Sequence, residues 1–80
     1  MFLVYILFSQ TLGKFYIGMT SDIEKRMQKH LENHDGFTSK AKDWKIVFTQ
    51  EFDDKSSALK REAQIKNWKS KKMILNLISS

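Results

Sequence analysis

The sequence predicts a small α+β domain: a three-stranded antiparallel sheet flanked by helices, in the order ββαβαα. Three observations carry that prediction. Residues 2–8 are apolar at every position, as a central strand covered from both sides requires. Two further β-rich runs, 14–18 and 44–52, are bounded by turn residues. Between and after them, apolar side chains recur at helical spacing.

Taken in order, the first strand runs into Ser9, Gln10, Thr11, Leu12 and Gly13, a set of turn formers that predicts a hairpin. A loop over residues 9–12 would set Tyr5 directly opposite Tyr16 on one face, and this register is the expectation. A loop longer by one residue would put the two tyrosines on opposite faces unless a bulge intervened. Gly18 is expected to let the backbone turn sharply after the second strand. A helix then starts at Thr20 or Ser21, with Ser21 as N-cap and Glu24 closing a capping box. Ile23, Met27 and Leu31 form its buried stripe, which places Arg26 and His30 side by side at the rim of the core. Asp35 and Gly36 end that helix through a left-handed cap, a polar loop covers 37–43, and His34 is read as a surface residue. In the third strand Trp44, Ile46, Phe48 and Phe52 are assigned to one face, and Lys45, Val47, Thr49 and Glu51 to the other. Asp53 and Asp54 offer the N-cap of a second helix over 55–69, and Ser70 caps a last short helix over 71–78.

The 80 residues suffice for one domain over 1–80. There is no cysteine, which excludes disulfides and thiolate metal sites and suits a cytoplasmic location. The apolar start lacks a basic flank and is too short for a membrane span, so no membrane partner is expected. The net charge of +5 favours a polyanionic partner, most often nucleic acid.

One acid stands on the wrong side of its helix. At about 100° per residue, with Ala58 at zero, Glu62 falls near about 40° and Ile65 near about 340°. Glu62 is thereby close to the middle of the apolar arc, where a carboxylate is costly without partners. It could bind a metal ion, pair with Arg26, or accept hydrogen bonds from tyrosine hydroxyls; for a lone buried acid, structural pairing is the commonest outcome. Around it the charge is positive. Lys60, Arg61, Lys66, Lys69, Lys71 and Lys72 lie between residues 58 and 72, a span in which Glu62 is the only acid. Such a cluster suits a phosphate backbone, although a solvated helix face is the default for any charge run. Trp68 is read as a core-edge residue.

These residues together resemble the GIY-YIG endonuclease superfamily in its small single-domain form. Val4, Tyr5 and Ile6 stand where the family has its first triplet; Tyr16, Ile17 and Gly18 stand as the second. Arg26 occupies the family's arginine position, His30 the place of a histidine or tyrosine one turn later, and residues 58–68 the segment of the metal-binding glutamate. The resemblance spans nearly the whole chain and implies metal-dependent hydrolysis of a DNA phosphodiester. Carried over, Glu62 binds one divalent ion, Mg²⁺ or Mn²⁺. Tyr16 helps to deprotonate the attacking water, Arg26 steadies the phosphate, and Tyr5 and His30 orient the nucleophile and relay its proton. Two departures stand out. Met19 replaces the lysine that some members carry after the second glycine, and Asn76 follows no proline, unlike the asparagine often found near the end of the domain.

The resemblance implies a DNA endonuclease acting in repair or recombination, with a homodimer or a protein partner supplying specificity. Retention of the tyrosines, Arg26 and Glu62 together favours this over two other readings: a nucleic-acid-binding module that keeps the fold without cutting, and a structural domain whose site residues serve stability alone.

Overall fold

In a computed structural model, residues 1–32 and 41–79 are described, the side chains of 30–32 excepted. Val4, Tyr5, Ile6 and Leu7 are each 0% exposed. Four consecutive buried residues need cover on both faces and a neighbour on both edges, and β1 (Phe2–Ser9) has both. It lies between β2 (Lys14–Thr20) and β3 (Lys45–Phe52), antiparallel to each. The helices are α1 (Ile23–Glu32), α2 (Lys55–Trp68) and α3 (Lys71–Ser79), which completes the predicted ββαβαα order.

The period-two alternation of β1 divides the interior into two clusters. Val4 and Ile6 pack with Ala58 and Ile65 of α2 and Ile74 of α3. Tyr5 and Leu7 pack on the other face with Ala41, Trp44, and Ile23 and Met27 of α1. Burying one such aliphatic side chain contributes about 1.5–3 kcal/mol, so both layers are needed to hold a domain this small. Among the described residues no helix is long and apolar enough to cross a membrane.

The hairpin corrects the expected register. Ser9 pairs with Lys14, so the loop is residues 10–13 and not 9–12. It keeps four residues but begins one later, which slides the pairing by two and preserves the face. Tyr5 therefore lies opposite Gly18, and Tyr16 opposite Leu7. Gly13 takes the left-handed conformation (φ 61°) and donates its N–H to the Ser9 carbonyl at 2.7 Å. Asp43 fastens the turn from outside. It accepts from Ser9 Oγ at 2.6 Å and from Thr11 through the backbone N–H at 2.9 Å and the hydroxyl at 3.0 Å. These bonds hold the Asp43 carboxyl down at about 2, with the Ser9 hydroxyl the largest cause.

Three further expectations change. The cap of α1 is Asp22, not Ser21: Asp22 Oδ1 accepts from the Lys25 N–H at 3.2 Å, and Thr20 Oγ1 accepts from the Asp22 N–H at 3.1 Å. The carboxylate sits one residue nearer the first turn than the serine and takes its donor. In β3 a bulge opposite Ile6 and Leu7 makes Val47 an extra residue. Ile46 is thereby turned away from the face of Phe48 and Phe52, Val47 packs with Phe48, and Trp44 joins the Tyr5 cluster. Gly18 lies in mid-strand, not in a turn.

The second-helix cap falls where expected. Asp54 accepts from the Ser57 N–H at 2.8 Å, and α2 ends on Lys69 in a left-handed conformation (φ 49°). Ser70 Oγ caps α3 by accepting from the Met73 N–H at 3.3 Å. The expected helix stop at Asp35 and Gly36, with His34, lies outside the described residues.

Candidate active site

The site is built outward from a buried hydroxyl. Tyr5 belongs to the central strand, yet its ring passes over the neighbouring strand at Gly18. A Cβ placed on Gly18 would lie 2.5 Å from the Tyr5 hydroxyl oxygen and 2.6 Å from Cζ. Only a residue without a side chain leaves room for the ring there, so Gly18 seats Tyr5 where a bend in the chain was expected.

α1 delivers the charge. Its apolar stripe, Ile23 and Met27, docks on the Tyr5 face of the sheet and brings Arg26 to the rim. Arg26 Nε donates to the Tyr5 hydroxyl oxygen at 3.3 Å, and the neighbouring Tyr16 hydroxyl also favours the charged guanidinium. The rings of Tyr5 and Tyr16 lie 6.4 Å apart, and Trp44 meets Tyr16 edge-on at 6.5 Å. Arg26 is thus held by a phenol that is itself fixed by aromatic packing.

The electrostatics separate the groups. Burial drives the Tyr5 hydroxyl above its ordinary value, and Arg26 offsets this only in part; the charges of Tyr16 and Glu62 push the same way as burial. Tyr5 accordingly keeps its proton at neutral pH. Arg26 is raised above its already high value, first by its hydrogen bond to Tyr5, and stays charged.

Glu62 comes from α2, on the other face of the sheet, on the same side of the helix as the buried Ala58 and Ile65. Its side chain is 18% exposed and pairs with Lys66 at 3.4 Å, one turn along the same helix. Lys66 is a partner that the sequence reading had not weighed, and this pair does not decide among the three explanations the sequence left open. The carboxylate still acts on Tyr5, since its charge raises the phenol.

Among the described residues no three acids, histidines or cysteines come together as a metal cluster. A lone, partly buried carboxylate fits a hard ion such as Mg²⁺, which keeps several waters and takes further oxygens from substrate phosphates. It does not fit zinc, which needs several nitrogen or sulfur ligands.

The remaining expected residues separate. His30 lies on α1 one turn after Arg26, with its side chain outside the described set. Met19 pairs with Val4 and packs on the aliphatic cluster, on the opposite face from Tyr16. Asn76 is exposed on α3. Of the six basic residues, Arg61 donates to Gln50 at 3.1 Å and Gln64 at 2.6 Å and lies over the Trp68 ring at 5.6 Å. Lys66 pairs with Glu62, Lys71 Nζ donates to the Gly13 carbonyl at 2.7 Å, and Lys69 ends α2. Lys60 and Lys72 are exposed.

The sequence reading missed the Asp43 clamp and the seat at Gly18. The first had a signal: Ser9 extends an otherwise apolar buried strand, and a buried hydroxyl demands a partner.

Comparison with known proteins gives a consistent result. The chain is 44% identical over 69 residues to a UPF0213 protein of Staphylococcus saprophyticus, covering 84% of this chain and 82% of that protein. It is 43% identical over 53 residues to a UPF0213 protein of Syntrophus aciditrophicus, covering 64% of this chain and 61% of that one. The solution structure of a UPF0213 protein from Bacillus halodurans superposes with a TM-score of 0.61 at 28% identity, covering 99% of this chain and 84% of that one. The family model of the GIY-YIG catalytic domain matches residues 1–76, and the chain belongs to that family.

Proposed function

We propose that this protein is a divalent-metal-dependent endonuclease that hydrolyses DNA phosphodiester bonds. The observation that carries this reading is the hydrogen bond from the Arg26 guanidinium to the buried Tyr5 hydroxyl, with Tyr16 packed beside it.

A phosphodiester is shielded by its own negative charge, and the barrier falls when fixed positive groups face the oxygens on which charge builds. Arg26 is such a group. Its guanidinium is held by the Tyr5 hydroxyl, so little reorientation is needed as the transition state forms. Tyr5, protonated and fixed under Gly18, positions Arg26 and holds its own proton at the rim of the site. Tyr16 is half-buried and faces the α1 side; in this reading it takes the proton from the attacking water, and His30 relays it. Water adds to phosphorus, one P–O bond breaks, and the leaving oxygen takes a proton. Glu62 would hold the divalent ion, which supplies Lewis-acid polarisation of the phosphate when bound. The exposed Lys66 would release Glu62 at little cost, because such pairs along a helix contribute only about 0.3–0.5 kcal/mol. The basic residues of α2 and α3 add long-range attraction for the polyanion, among them Lys60, Lys66 and Lys72.

The test is incubation with branched and linear DNA in Mg²⁺, Mn²⁺ or chelator. Metal-dependent nicking is expected, abolished by Glu62→Ala and by Arg26→Ala while circular dichroism reports an intact fold. Equal cleavage by wild type and Glu62→Ala would overturn the reading. Salt-sensitive DNA binding without cleavage would replace it with a binding module that keeps the fold.

A further inference from the structure

On the face of the sheet opposite Arg26, β2, the end of α2 and the start of α3 enclose a cleft of about 300 Å³. Its floor is Phe15, Ile17, Ile65 and Ile74; its rim is Lys14, Lys66, Lys69 and Lys71. We propose that this cleft docks an acidic peptide segment of another protein, seating one large apolar side chain on the floor and laying flanking carboxylates along the lysines.

Three observations select that occupant. The rim carries four lysines and no acid; Lys66 reaches Glu62 and Lys71 the Gly13 carbonyl, and the rim stays net positive, so the ligand is anionic. The floor is aliphatic and aromatic, and the one hydroxyl in the lining, Ser70 Oγ, already accepts from the Met73 N–H. A nucleobase pushed into such a floor would lose the hydrogen bonds of its polar edge without replacement, whereas a leucine or phenylalanine side chain has none to lose. The cleft also opens on the far side of the sheet from Arg26 and Tyr16, so its occupant need not be the strand bound there.

Among the described residues a second copy offers no such segment: the acid-flanked stretches 22–24 and 51–54 are built into the fold, with Ile23 and Phe52 packed in the two clusters and Asp22 and Asp54 capping helices. A partner docked here would be tethered beside the catalytic domain without covering Arg26.

The test uses isotope-labelled protein and two synthetic peptides, a run of glutamates and aspartates around one central phenylalanine and the same peptide with serine at the centre. Amide and methyl shifts are followed at physiological salt, with a short oligonucleotide as a third probe. The phenylalanine peptide is expected to move the signals of Ile17, Ile65 and Ile74 and to bind at least tenfold more tightly than the serine peptide. The double variant Lys14→Glu, Lys69→Glu should weaken it at least tenfold with the methyl spectrum otherwise unchanged. Equal binding of the two peptides, or shifts confined to the lysines, would overturn the proposal. Oligonucleotide shifts at the three isoleucines larger than those from the peptide would instead assign the cleft to nucleic acid. None of these readouts depends on cleavage, so the proposal stands or falls apart from the endonuclease reading.

Discussion

The two faces of the same three strands differ in chemistry. On the α1 face, Tyr5, Tyr16, Trp44 and Arg26 combine aromatic packing with hydroxyls and a charge. On the α2 face, Val4, Ile6, Ala58, Ile65 and Ile74 form an aliphatic layer with no polar side chain among its buried members. β1 serves both through its alternation: even residues hold the molecule together, and odd residues carry the hydroxyl around which the candidate site is built. The comparison teaches that stability and proposed reactivity can be altered separately, except where Glu62 and Gly18 link them.

The largest effect on stability should come from the aliphatic face. Ile65→Ala removes a fully buried side chain between α2 and the sheet and should cost about 2–5 kcal/mol. Chemical denaturation measures that loss; cleavage per folded molecule should be unchanged. A parallel loss of activity at full folding would erase the distinction between the faces.

Gly18→Ala probes the link. The new methyl collides with a tyrosine ring that is 0% exposed and has little freedom to move, so destabilisation of about 1–3 kcal/mol is expected. Because the ring carries the hydroxyl that holds Arg26, cleavage should fall by more than the unfolded fraction explains. Activity tracking the folded fraction would show that Arg26 does not depend on Tyr5.

Tyr5→Phe sharpens the same point with a smaller change. It keeps the ring and deletes the oxygen that accepts from Arg26, for a cost of about 0.5–1.5 kcal/mol. The loss should be greater in cleavage than in melting temperature, and Arg26 Nε should shift in the nitrogen spectrum.

The smallest effect lies in the hairpin and is seen through pH. Asp43 has its carboxyl lowered from the ordinary 3.8 to about 2. A lowered acid contributes stability that is present above its unfolded value and lost as pH falls through its folded value. Wild type should lose stability between 3.8 and about 2, and Asp43→Asn should flatten that part of the curve. Identical acid limbs would show that the clamp contributes nothing.

Much of this was legible because it rests on local pattern. The apolar run of β1 announced a central strand, helical spacing placed Arg26 at a rim, and the wheel found Glu62 on the buried side of α2. The illegible parts depend on partners distant in sequence. Loops over 9–12 and 10–13 have the same length and put the same residues on the same face, so pattern does not choose between them; the fit of the Tyr5 ring to Gly18 does. One extra residue at Val47 reverses the alternation of β3 before it, which moved Trp44 to the aromatic cluster. Ser9 signalled that a partner was needed, but Asp43 was not identifiable as that partner because it lies more than thirty residues later.

The account turns on Glu62, set on the other face, acting at the Arg26 site. Manganese titration followed by nuclear magnetic resonance tests this most directly, since a paramagnetic ion broadens only nearby signals. Low Mn²⁺ should broaden the Arg26 Nε and Tyr5 ring signals first in the wild type, and should leave them sharp in Glu62→Gln. Broadening confined to surface acids such as Asp53 and Asp54, or unchanged at Arg26 in Glu62→Gln, would contradict it.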